Sequence, residues 1–176
     1  MNQALKFRAV LIVMVFWSTC FTSFAQEVPL SLQAKLMLKV MSMDRNFERF
    51  GDTVKIGVSS DAMLSELASQ SELQIKEKPF VAVKMDSPED IEEYKIVYID
   101  RNWQEDYGLV ARKAEENKAL IFAADENYVT TGGGSICFKT FDAKPKIVIN
   151  LQNVKKQGSD FPANFLKITT VVGLIE

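Results

Sequence analysis

Three short clusters carry the side chains best suited to binding: Ser59-Ser60-Asp61, Asp100-Arg101-Asn102 and Asp125-Glu126. A fourth candidate is the run Gly132-Gly133-Gly134, whose backbone could wrap a phosphate. Arg101 can hold a carboxylate through two parallel N–H bonds. The carboxylates, serines and Asn102 are equally the residues of ordinary helix caps and turns, and Arg101 is the one member that capping does not explain. The glycine run lacks the Lys-Ser/Thr of a P-loop and precedes a strand pattern rather than a helix. A tight, permissive entry into that strand is the competing reading. Asp100 with Arg101 is the nearest approach to catalytic machinery, and no activated nucleophile accompanies it.

The chain contains no histidine, which removes the commonest general base and the commonest metal ligand. Two cysteines cannot build a Cys-only zinc site. We therefore expect no catalytic residues, no metal and no cofactor, and read the chain as a non-enzyme that binds or regulates. With 21 basic against 23 acidic side chains and a net charge of −2, there is no basic excess to neutralise a nucleic-acid backbone. The 176 residues are 47% apolar and 25% charged, the balance of one folded domain.

The elements that position these clusters begin after residue 25. Lys6 and Arg8 precede the apolar run Ala9–Trp17, and Ser23-Phe24-Ala25 gives a small-x-small exit. These are the parts of a cleaved secretory signal peptide over residues 1–25. The run is shorter than the roughly 20 residues that span a bilayer, which disfavours an uncleaved anchor. Trp17 disfavours lipid attachment at Cys20. Residues 26–176 are then one exported domain, without membrane insertion after cleavage. It carries Cys137 as a lone thiol, either buried or free to bridge two chains.

Leu32, Leu36, Val40, Met43, Phe47 and Phe50 recur at helical spacing and predict one long helix, with Pro29 and Ser31 at its start and Gly51 at its stop. Core packing explains the stripe. Met37 and Met41 beside it suit an adaptable contact surface. Strands are expected at Val54–Val58, Phe80–Lys84, Lys95–Ile99 and Ala119–Ala123. Helices between them are expected to be capped by Asp61, Ser87 and Asn102. Ser135–Phe141 and Lys146–Leu151 form a hairpin pattern, a short helix runs from Gln152 to Gly158, and Pro162 opens a last helix with Phe165, Ile168 and Val172. Alternating strands and helices predict an α/β fold in three layers. Its mostly parallel mixed sheet is flanked by helices and closes with a C-terminal antiparallel hairpin. In such a sheet ligands bind beyond the carboxyl ends of the strands, where the polar clusters fall.

The order of these segments resembles the YfiR family of exported bacterial proteins. AKLMLKVMSMDRNF, VKIGV, KIVYIDRN and TGGGSICF carry the likeness, followed by KIVINLQNVKKQG and FLKITTVV. It covers nearly the whole chain after residue 25. Two departures mark a divergent branch: relatives pair several cysteines where this chain keeps Cys137, and Asp44-Arg45-Asn46-Phe47 stands where they carry an aromatic-Trp-Pro ending. No redox role is carried over.

The resemblance implies a periplasmic homodimer that binds the periplasmic domain of a membrane diguanylate cyclase, represses it, and lowers cyclic-di-GMP and biofilm output. Asp61, Asp100, Arg101, Asn102, Gly132, Gly133 and Gly134 are the expected partner or ligand contacts. The other reading is a periplasmic small-solute-binding module serving a sensor kinase or transporter.

Overall fold

The computed structural model describes residues 27–173, and the expected signal peptide lies outside them. Helix α1 spans Leu30–Met41. A 3-10 turn, Phe47–Phe50, leads to strand β1, Val54–Val58. Helix α2 is Asp61–Ala68 and strand β2 is Phe80–Lys84. A second 3-10 helix, Pro88–Glu93, precedes β3, Ile96–Ile99. Helix α3 covers Tyr107–Asn117, β4 Leu120–Ala123 and α4 Glu126–Thr131. The hairpin is β5, Ile136–Phe141, with β6, Lys144–Asn150. Helices α5, Leu151–Lys156, and α6, Ala163–Leu166, are followed by β7, Thr170–Val172.

Among the described residues the strands form one seven-stranded sheet in the order β2-β1-β3-β4-β5-β6-β7. Pairs from β2 to β5 are parallel, β5 and β6 are antiparallel, and β7 runs parallel to β6. The period of two along each strand sorts the core into two layers. Ile56, Tyr98, Phe122, Phe138 and Ile149 pack toward α1, α2 and α6. Val97, Ile99, Ile121, Cys137 and Val148 pack toward α3, α4 and the Pro88–Glu93 turn. Apolar residues therefore line both faces, as a covered parallel sheet requires. This is the three-layer α/β arrangement with a C-terminal antiparallel hairpin that the sequence predicts.

Four local expectations need correction. The first helix ends at Met41 rather than near Gly51, because the Asp44 side chain accepts from the Asn46 backbone amide at 2.9 Å and turns the chain. Its buried face is Gln33, Ala34, Met37, Leu38, Val40 and Met41; Val40 of the expected stripe is buried, while Leu32, Leu36 and Met43 are only half-buried. Met37 and Met41 are thus core residues. Two caps shift. Ser60, not Asp61, accepts from Met63 N. Asp106, not Asn102, accepts from Gly108 N. Finally, Val172 belongs to a strand: after α6 the chain extends and adds Thr170–Val172 to the sheet beside β6.

Candidate functional site

The chain leaves β1 outward to β2 and returns across β1 to β3, so the sheet's direction of growth reverses between β1 and β3. Helices diverge at such a point and leave a crevice beyond the strand ends. A cleft of about 960 Å³ opens there, displaced toward β3 and β4. Its floor is Tyr98. Asp100, Arg101 and Asn102 follow β3, and Ala124 to Asn127 follow β4. Strand β5 runs past the end of β4, where Ala123 is already level with Cys137, so Phe138, Lys139 and Thr140 form one wall. Glu27 to Leu30 and Gln33 form the opposite wall.

Local hydrogen bonds shape each strand end. The Asp100 amide donates to Ser59 Oγ at 2.8 Å, tying the end of β3 to that of β1. Asp100 Oδ1 accepts from Asn102 N at 2.9 Å, and Asp125 Oδ1 accepts from Asn127 N at 3.0 Å. Both are Asx turns, the capping alternative in its simplest form. Arg101 Nη1 donates to Glu27 Oε1, and Nη2 reaches Ala124 O at 3.4 Å. The Glu27 hydrogen bond holds the guanidinium above its ordinary pKa against its partial burial, with the Glu27, Asp125 and Asp100 charges adding to the effect. Lys139 donates to Glu126 at 2.5 Å. Beneath them Tyr98 donates to Gln33 Oε1 at 3.3 Å, and Gln33 Nε2 donates to Val28 O at 2.7 Å. Burial, reinforced by Asp100 and Glu27, raises the Tyr98 hydroxyl far above its usual pKa, so it stays a neutral donor.

Four carboxylates therefore surround two cations, and each cation already holds one carboxylate. An incoming carboxylate must displace Glu27 from Arg101, while Asp100 and Asp125 remain to receive a cationic group. The arrangement can bind and orient; it offers no nucleophile activated by a base.

The expected contact residues divide. Asp100, Arg101 and Asn102 line the cleft together. Asp61 lies on the neighbouring helix and pairs with Lys84 at 2.6 Å. The glycine run sits elsewhere, between α4 and β5. The amides of Gly132 and Gly134 both donate to Tyr128 O at 3.1 Å, so they do not cradle an anion. Their carbonyls accept from Asn153, and that of Gly133 accepts from Gln157. A β-carbon at Gly133 would overlap the Ala111 methyl, so close approach to α3, and not a positive φ, is what requires glycine. Glu27, Gln33 and Tyr98 were not foreseen. The signals were a polar residue inside the apolar face of α1 and an aromatic hydroxyl at a strand end, and only the tertiary fold brings them together.

A family model described as YfiR/HmsC-like matches residues 43–170. The chain belongs to the YfiR/HmsC-like family. In this YfiR/HmsC-like chain the match runs from the end of α1 to the start of β7, so it includes the cleft except for its Glu27–Gln33 wall. No curated protein matches the sequence. Among solved structures, the chain is similar to a substrate-binding protein with adhesive properties from Clostridium difficile, in its ligand-free, open form. The TM-score is 0.54 at 15% identity, over 84% of this chain and 61% of that one. It is also similar to an ABC domain from Streptococcus pneumonia in complex with L-Trp, with TM-score 0.52 at 13% identity over 82% and 60%. The YfiR/HmsC-like chain thus spans about three fifths of the length of these structures, and the likeness is one of fold.

Proposed function

We propose that residues 26–176 form one periplasmic regulatory domain, released after Ala25, that as a homodimer binds the periplasmic domain of an inner-membrane diguanylate cyclase and represses it. Membership of the YfiR/HmsC-like family across residues 43–170 carries this reading. Physically, a repressor needs only a surface with higher affinity for one of two receptor conformations. Among the described residues no helix is long and apolar enough to cross a membrane. The proposed contacts are the cleft residues Asp100, Arg101 and Asn102, with Asp61 and the Gly132–Gly134 turn as separate surfaces. Deleting the gene should raise cellular cyclic-di-GMP, and restoring the chain should lower it; unchanged levels in the deletion strain overturn the reading. Mass spectrometry of the exported chain should find Gln26 at its N-terminus, and retention of Met1 would overturn release.

The cleft favours a second reading, a module that reports a small solute to a sensor kinase or transporter. Its volume of about 960 Å³ suits a small ligand, and both structural neighbours bear ligand-binding descriptions, one of them with L-Trp. Screening a metabolite panel for a raised melting temperature tests it. A binder's stabilisation should vanish in Arg101→Ala, and a flat panel removes this reading.

A further inference from the structure

We propose that β2 is the homodimerisation edge of this chain: two copies join antiparallel, β2 to β2, about a two-fold axis at Ala82, making one continuous sheet. The inference rests on the homodimer reading above and names its surface.

Among the described residues strand β2 ends the sheet and has β1 as its only strand neighbour. Pro79 O accepts from Val54 N, and Met85 N donates to Val58 O, both at 2.9 Å. In a parallel ladder alternate residues turn both backbone groups to the same neighbour. Pro79, Val81, Val83 and Met85 thus face β1, and Phe80, Ala82 and Lys84 point their N–H and C=O groups outward. Among the described residues those outward groups have no hydrogen-bond partner.

Edges are normally protected by a bulge, a proline or a free charge. Here five consecutive residues pair with β1 in unbroken register, and Pro79 lies just outside the strand. The strand's single charge, Lys84, is bound to Asp61 at 2.6 Å. Val81 and Val83 are 43% and 37% exposed on the face where Met85 is buried. The turn that covers Met85 leaves both valines to water.

The pattern is complementary to itself, and this selects a second copy over a foreign strand. A two-fold axis at Ala82 sets Ala82 against Ala82 and Phe80 against Lys84. These are the outward-pointing residues, so each pair exchanges two backbone hydrogen bonds. Val81 then faces Val83 of the second copy in the non-hydrogen-bonded pairs, where side chains approach most closely. Before the strand, Lys78 turns its backbone groups to Ile75 and its ammonium to Glu48 at 2.7 Å, so the self-pairing edge begins at Phe80. Moving the axis along the strand shortens the overlap and breaks the Val81–Val83 pairing.

Sedimentation of the mature chain tests the proposal. A five-residue strand pair is smaller than the ~800 Å² per partner of a standard interface, so a dissociation constant of roughly micromolar size is expected. Ala82→Pro removes an outward N–H without touching the ladder to β1, and Val81→Lys places a charge against apolar valine. Each should raise the dissociation constant at least about tenfold while the far-UV spectrum and melting midpoint stay near wild type. Val81→Cys chains mixed with differently tagged Val83→Cys chains should form a mixed disulfide on oxidation. Their Cα atoms would lie about 4.5 Å apart, within disulfide reach. Neither variant alone should cross-link, since its like positions lie diagonally. A dimer that survives both substitutions and gives no mixed disulfide overturns the β2 edge but keeps the dimer. A monomer at about 200 µM, well above such a dissociation constant, overturns both. Dimers cross-linked at 81 and 83 in a strain whose cyclic-di-GMP ignores the gene keep the edge and overturn the regulator.

Discussion

The Asp44 carboxylate and the Arg49 guanidinium face each other at 3.8 Å, Oδ2 to Nη2, with Asp44 wholly buried. Asp44 Oδ1 accepts from Asn46 N at 2.9 Å and from Asp160 N at 3.0 Å. Arg49 donates to Lys118 O and to Ser159 Oγ. Burial lowers the Arg49 pKa and the Asp44 charge opposes that. The end of α1, the approach to β4 and the loop before α6 are therefore joined at one ion pair.

Removing the anion should unfold this junction. Asp44→Ala strands two backbone donors and leaves Arg49 without its counter-charge, which should cost about 3–5 kcal/mol. Asp44→Asn keeps an oxygen acceptor and should lose clearly less. Urea titration checks both through the midpoint, with the slope unchanged if the transition stays two-state.

The glycine turn should couple to α3. Gly133→Ala forces a methyl into Ala111 and should destabilise the fold by about 1–3 kcal/mol. Ala111→Gly opens the space at about 1 kcal/mol of helix propensity. In the double variant the two losses should sum to less than their separate values, by about 1 kcal/mol or more. Additive losses in a thermodynamic cycle would separate the two positions.

These two junctions show why the sequence disclosed the sheet better than its joints. Val54–Val58 is where its β-branched run places it, because a strand covered on both faces shows its apolar residues locally, and Phe80–Lys84 shows a similar run although Val81 and Val83 stay exposed at the sheet edge. The apolar spacing from Leu32 to Phe50 continued straight through Asp44. The Asp44 carboxylate that turns the chain there accepts from Asn46 and also from Asp160, 116 residues away, and the apolar pattern records neither bond. Helix α4 has six residues, too few to display a period. The cleft was half legible. Asp100, Arg101 and Asn102 announced a strand end, whereas Glu27 and Gln33 reach it only because α1 packs across the sheet.

The hairpin turn is improvable. Asp142 and Ala143 both adopt positive φ, 49° and 57°, between the paired residues Phe141 and Lys144. That is a two-residue type I′ geometry, which favours glycine at its second position. A left-handed alanine costs roughly 1–2 kcal/mol, partly offset by the greater unfolded-state entropy of glycine. Ala143→Gly should therefore raise the melting midpoint by about 1–4 °C in calorimetry. A lower midpoint would show that the turn is not strained.

Cys137 should be inert in the folded chain and should make it sensitive to alkali. The thiol is buried on β5 against α4, and burial first, then the Glu126 charge, pushes its pKa up to about 12 from 9.0. Thiol reagents should modify it only upon unfolding, so an intermolecular bridge would need local opening. The folded pKa lies above the unfolded one. The unfolded chain therefore releases its proton first, and the stability contributed below pH 9 is lost as pH rises toward 12. The slope approaches about 1.4 kcal/mol per pH unit. Tyr94, Tyr98, Tyr107 and Tyr128 are also raised by burial and begin to contribute as pH approaches 10, so the cysteine's share is the difference between wild type and Cys137→Ala between pH 9 and 10. Denaturant midpoints measured across that interval should fall in the wild type. The fall should be shallower in Cys137→Ala, which is less stable overall from the small cavity it leaves. A fall of equal size in both would assign the alkaline loss to another group.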